Sequence, residues 1–96
     1  MELAYRKLTA DEITSALADL DGWAVEGENI ARTYEFRSYP EGPAFAVKVG
    51  ELAEELNHHP DILITYQKVR VAVHTHDVGG LSPYDIELAR RVNALV

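Results

Sequence analysis

The sequence contains no cysteine, which excludes disulfide staples, thiol catalysis and thiolate-ligated zinc or iron-sulfur centres, and fits a reducing compartment. Cations are scarce too: nine Lys and Arg against sixteen Asp and Glu give a formal net charge of -7. A surface of that sign repels a polyanion unless its few cations cluster. Lys68, Arg70, Arg90 and Arg91 are too scattered along the chain to argue such a patch, so direct nucleic-acid binding is disfavoured. A small, nearly uncharged heterocycle meets no such repulsion. Long apolar runs are missing as well, since no stretch approaches the ~20 residues of a membrane helix. The opening Met1-Glu2-Leu3-Ala4-Tyr5-Arg6 lacks the basic start and apolar run of a secretory leader. The expectation is a cytoplasmic protein that does not contact membranes. Linkers, low-complexity tracts and a convincing internal repeat are also wanting.

What remains is one domain's worth of chain, 1–96, with 47% apolar residues to supply a single core. Thr9-Ala10-Asp11-Glu12 has the form of a capping box, and Ile13, Ala16, Leu17 and Leu20 then recur on one helical face, predicting a first helix that ends near Asp21-Gly22. Trp23 and Val25, the turn residues Gly27-Glu28-Asn29, and alternating Ile30, Arg32, Tyr34 and Phe36 predict a hairpin, with Trp23 read as core packing. Phe45, Val49, Leu52, Ala53 and Leu56 form one apolar stripe, so a second helix is expected over Pro43–Asn57. Ile62, Ile64 and Tyr66, a connection at Gln67-Lys68, and Val69, Val71 and Val73 predict a second hairpin whose valines meet the helices. Gly79-Gly80 lacks the Gly-Lys-Ser or Gly-Lys-Thr of a phosphate loop and is read as a simple connection. Ser82-Pro83-Tyr84-Asp85 opens a last helix with Ile86, Ala89, Val92 and Val96 on its apolar face and Leu88 and Leu95 widening it. The order α-β-β-α-β-β-α predicts an α+β two-layer sandwich, a four-stranded antiparallel sheet with three helices on one face.

All four histidines, His58, His59, His74 and His76, fall in a short stretch between the second and third helices. Imidazole gives or takes a proton near neutral pH and is also the commonest metal ligand. Pro60 keeps His59 out of helical geometry, so the His58-His59 pair is held by a sharp turn. Glu54, His58, His59, Pro60, Tyr66, His76 and Asp85 stand at the separations of a seven-position motif, and on these residues the chain resembles the pterin-4a-carbinolamine dehydratases. The likeness extends through Gly22, Trp23 and the final helix. The resemblance implies the same sandwich fold and the dehydration of 4a-hydroxytetrahydropterin to quinonoid dihydropterin, in tetrahydropterin recycling, with no cofactor and no metal.

By position the resemblance makes His58, His59 and His76 the catalytic set, with His58 and His76 as the acid-base pair and His59 mainly holding the pterin. It also assigns substrate contact to His58, His59, Pro60, Thr75, His76 and Asp77. His58 follows a helix C-terminus, whose partial negative charge suits the proton-donating role, although the motif alone does not say which of His58 and His76 is the acid. Glu54, one turn before His58, either orients that imidazole or solvates an exposed face. Asp85 supports the site as a capping carboxylate, and Tyr66 is expected in the core. Two other readings stand beside the enzyme: a protein-binding co-regulator of the same fold, and a metal site built on His74 and His76 as a same-facing strand pair. Relatives assemble as dimers or tetramers. The last helix, apolar over more than one core contact needs, and an edge strand are the expected interfaces of a homodimer or homotetramer.

Overall fold

The computed structural model describes residues 3–96; Met1 and Glu2, the first residues of the segment read as lacking a leader, lie outside the described residues. The chain runs α1 (Ala10–Ala18), β1 (Ala24–Glu26), β2 (Asn29–Glu35), α2 (Glu41–Leu56), β3 (Asp61–Thr65), β4 (Lys68–Val73) and α3 (Pro83–Asn93), with a 3-10 turn over His76–Val78. Both capping boxes form. Thr9 accepts from the Glu12 N–H at 3.2 Å while Glu12 accepts from the Thr9 N–H at 3.0 Å, and Asp85 accepts from the Ser82 N–H at 2.8 Å. Helix α1 stops at Ala18, earlier than the expected Asp21-Gly22, because tightened turns carry the chain on and deliver Leu20 and Trp23 to the core. Helix α2 starts ahead of Pro43, at Glu41, whose carboxylate accepts from the Arg37 and Ser38 N–H groups.

The four strands form one antiparallel sheet in the order β1-β2-β4-β3. Strand alternation decides its two faces. Ile30, Tyr34, Val69, Val71 and Val73 are buried beneath the helices together with Phe45 and Val49 of α2 and Leu88, Ala89 and Val92 of α3. Each such aliphatic side chain contributes roughly 1.5–3 kcal/mol of burial. The C-terminus of α3 is fixed polarly: the Asn93 Oδ1 accepts from Trp23 Nε1 at 2.9 Å, Arg32 Nη1 at 2.8 Å and Tyr34 Oη at 2.5 Å. Trp23 is therefore a core residue with a satisfied N–H.

One expectation fails here. Tyr66 is not in the core but 73% exposed, because the hairpin turn is Tyr66–Gln67 rather than Gln67–Lys68 and places its ring outside, tilted against Tyr39 at 6.0 Å. Of the apolar residues of the last helix and its end, Leu88, Ala89 and Val92 are wholly inside the single chain, Ile86 and Leu95 are partly buried, and Val96 is exposed. Other exposed large apolar side chains include Val47 on α2 and Leu63, Ile64 and Tyr66 on edge strand β3 and its turn. No helix among the described residues is long and apolar enough to cross a membrane.

Candidate functional site

Helix α2 ends on Asn57, whose left-handed backbone (φ 51) turns the chain back so that the His58 N–H donates to the Ala53 carbonyl at 3.0 Å. The turn separates the two histidines. His58 goes inward and is 9% exposed, while His59 stays in solvent. Of the two readings left open for Glu54, orienting His58 or solvating an exposed face, the first is not made: Glu54 Oε1 meets His59 Nε2 at 2.6 Å, both side chains being largely exposed. Helical i, i+4 spacing brought Glu54 towards position 58, but the left-handed residue breaks that spacing.

His58 is held from the other side. Its Nε2 lies 2.6 Å from Asp85 Oδ1, a carboxylate with no exposure that also accepts from the Thr75 hydroxyl at 2.7 Å and the Ser82 N–H. Thr75 Oγ1 is 2.7 Å from Ser82 Oγ and 3.4 Å from His58 Nε2. Since a carboxylate only accepts, the His58 proton sits on Nε2, and Nδ1 is left without a hydrogen-bond partner among the described residues. Asp85 is thus both the cap of α3 and the residue that orients His58. No buried side-chain polar atom among the described residues lacks a partner.

Strand β4 ends at Val73, and the bridge between Thr75 and Gly80 folds the following residues into a tight loop. The expected same-facing strand pair of His74 and His76 is therefore not formed: His74 Nδ1 meets Asn29 Oδ1 at 2.9 Å, and His76 opens the 3-10 turn, exposed. Among the described residues no group of three or more His, Cys, Asp or Glu is placed to hold a metal ion.

These segments enclose a cavity of about 290 Å3 lined by Tyr5, Asn57, His58, His59, His74, Thr75, His76 and Asp77. All four histidines, from the end of α2 and the loop after β4, thus reach one place. Of the residues expected to touch substrate, His58, His59, Thr75, His76 and Asp77 line it, though the Thr75 hydroxyl is committed to Asp85 and Ser82. Pro60 does not line it; its part is to fix the turn. Tyr5 and Asn57 line it without having been singled out as site residues, and His74, singled out only as a possible metal ligand, lines it too. His74 falls outside the motif spacing, and nothing local in the sequence marks Tyr5.

A larger groove of about 570 Å3 lies between α1 and α3, lined by residues that include Leu8, Ala16, Pro83 and Ile86. It contains no histidine, so chemistry and not size points to the smaller cavity.

Comparison with known proteins gives the family. A protein of Sulfurisphaera tokodaii provisionally named pterin-4-alpha-carbinolamine dehydratase is 41% identical over 91 residues, 95% of this chain and 98% of its own. One of Mesorhizobium japonicum with the same provisional name is 44% identical over 93 residues, 95% of each chain. The crystal structure of a transcriptional coactivator/pterin dehydratase from Brucella melitensis is similar with a TM-score of 0.88 at 37% identity, covering 94% of this chain and 98% of that one. The family model described as Pterin 4 alpha carbinolamine dehydratase matches residues 6–95, and on that match, over almost the whole sequence, the chain belongs to the pterin-4a-carbinolamine dehydratase family.

Proposed function

We propose that the chain dehydrates 4a-hydroxytetrahydropterin to quinonoid dihydropterin. The single observation that carries this reading is the gathering of His58, His59, His74 and His76 around one cavity, with His58 fixed by a buried carboxylate. The reaction expels the ring hydroxyl as water, which needs a proton delivered to oxygen, and it removes a ring N–H proton to a base. Each well-placed acid or base supplies roughly 10²–10⁴ in rate. His58 and His76 take these two roles, His58 from a fixed buried position and His76 from the rim. His59, steadied by Glu54, holds the pterin, and Asp77 lies beside it on the wall. Asp85 and Thr75 act through His58 by setting its ring and tautomer.

Stopped-flow decay of 4a-hydroxytetrahydropterin tests the proposal. The wild-type chain accelerates it, His58→Ala and His76→Ala each lose about 10²-fold or more in kcat, His74→Ala loses much less, and EDTA changes nothing. Full activity in the His58→Ala, His76→Ala double variant would falsify the acid-base assignment, and loss of turnover on chelation reversed by zinc or iron would transfer the chemistry to a metal. A second reading, a protein-binding co-regulator, is favoured by the coactivator half of the Brucella protein's description and by the exposed Val47, Leu63, Ile64 and Tyr66. It does not exclude the enzyme, and on its own, without catalysis, it would give a wild-type chain with no dehydratase activity. The chain is proposed to work as a homodimer or homotetramer, with the end of the last helix, where Val96 is exposed, and edge strand β3 as its interfaces.

A further inference from the structure

The cavity is polar on nearly every side. Asn57, the four histidines, Thr75 and Asp77 make up its wall, and the one large ring with an apolar face besides the imidazoles is Tyr5. Tyr5 lies more than half exposed in an N-terminal segment, yet it is not a loose end. Leu8, which follows it, is buried and donates its N–H to the Leu81 carbonyl at 2.7 Å. Arg6 grips Glu12 with both guanidinium nitrogens, at 2.9 and 2.6 Å. The Tyr5 ring itself stacks on Tyr84, with centroids 4.6 Å apart and planes 27° from parallel, and Tyr84 in turn stands 5.7 Å from the His58 ring. Tyr5, Tyr84 and His58 thus form a row of rings from the cavity wall to the buried carboxylate. Neither tyrosine belongs to the seven-position motif.

We infer that Tyr5 is a substrate-positioning residue, the aromatic wall against which a flat bicyclic heterocycle lays its edge or face while the histidines address its polar rim. The inference rests on the dehydratase reading of this cavity and adds to it the residue that selects planar rings. Tyr84 backs Tyr5, so the wall is held before substrate arrives. Contact with the guanidine and carbonyl part of the pyrimidine ring is nearly the same in the bound substrate and in the transition state, because those atoms are trigonal before and after C4a loses its hydroxyl. Such contact lowers KM and leaves kcat alone.

The test is kinetic and by binding. Tyr5→Ala raises KM for the carbinolamine, and the dissociation constant of unreactive 7,8-dihydrobiopterin measured by equilibrium dialysis, by about 3- to 12-fold. The kcat stays within about twofold. Tyr5→Phe restores both constants, since the ring and not the hydroxyl makes the contact, whereas Tyr5→Leu does not. An unchanged KM and dissociation constant in Tyr5→Ala overturn the inference, as does a fall in kcat alone, which would make Tyr5 a prop for His58. Dihydrobiopterin binding that depends on Tyr5 in a wild-type chain without turnover overturns the dehydratase reading and leaves the aromatic wall standing. Turnover with no dependence on Tyr5 does the reverse.

Discussion

Asp85 accepts hydrogen bonds from three parts of the chain, the Ser82 N–H, the Thr75 hydroxyl and His58 Nε2, and Asp85→Ala would leave the Ser82 N–H and His58 Nε2 buried without that acceptor, while the Thr75 hydroxyl can turn to Ser82 Oγ. Each such loss costs ~1–3 kcal/mol, so urea unfolding should show a drop of about 2 kcal/mol or more. Thr75→Val, which removes one donor, should cost about 1 kcal/mol. A change below ~0.5 kcal/mol in Asp85→Ala, the level of an ordinary surface substitution, would deny the network its structural part. The Glu12 carboxyl offers a pH test. Its hydrogen bonds from the Arg6 guanidinium, then from the Thr9 N–H, pull it down to about 2. A depressed carboxylate contributes stability that is whole above its unfolded value of ~4.3, and that contribution disappears as pH falls through about 2. Carboxyl carbon resonances should therefore show Glu12 titrating at about 2, and Glu12→Gln should flatten the acid limb of the stability curve. Titration at the ordinary ~4.3 would mean the Arg6 grip is not made. At this scale the sequence was partly legible. Motif spacing brought His58, His59 and His76 forward, but it placed Tyr66 in the core because alternation does not say where a strand stops. It also left Glu54 between two readings, neither of them the His59 contact made by the Asn57 turn.

Gly22, with φ at +80, shows how an element boundary can rest on one missing methyl group. A Cβ there would lie 2.4 Å from Arg32 Nε, and the Arg32 guanidinium is bonded to the Asp21 carbonyl and to Asn93 at the end of α3. Gly22→Ala should thus lower stability by more than the ~1–2 kcal/mol of a left-handed residue alone, readable as a fall in Tm. Asn57→Gly, at the other left-handed position that shapes the site, should be tolerated. An unaltered Tm in Gly22→Ala would show that Arg32 is free to move away. Elements were the most legible level of the fold. Capping boxes at Thr9 and Ser82 and the valine alternation of β4 are local signals, and all three are realised. The helix ends were less so: α1 stops where core packing draws Leu20 and Trp23 inward, a tertiary demand that no local pattern carries.

For the whole molecule, the test of assembly moves away from Val92. Val92 has no exposure, so Val92→Glu would unfold the chain and say nothing about subunits. Val96 at the end of the last helix and Leu63 on the edge strand are exposed and can be charged without disturbing the core. Light scattering should give a dimer or tetramer mass for the wild-type chain at micromolar concentration, and Val96→Glu or Leu63→Glu should reduce it. A wild-type monomer would contradict the proposed assembly. Exposed apolar surface was legible in outline, but the depth of each residue of the last helix was not, because Leu88, Ala89 and Val92 are wholly covered within one chain while Val96 is exposed.

The pairing of β2 with β4 joins Ile30 to Val73 and Tyr34 to Val69, whereas the other two pairings join hairpin neighbours. During synthesis the first hairpin can close as soon as it leaves the ribosome, but one side of β2 must wait until α2, β3 and β4 have been made. Through that interval β2 is an unclaimed edge, the place where two nascent chains could pair wrongly. The acidic excess of the sequence then bears on a stage before any site exists, since like charge opposes the mispairing of unfinished copies until β4 arrives to fill the seam.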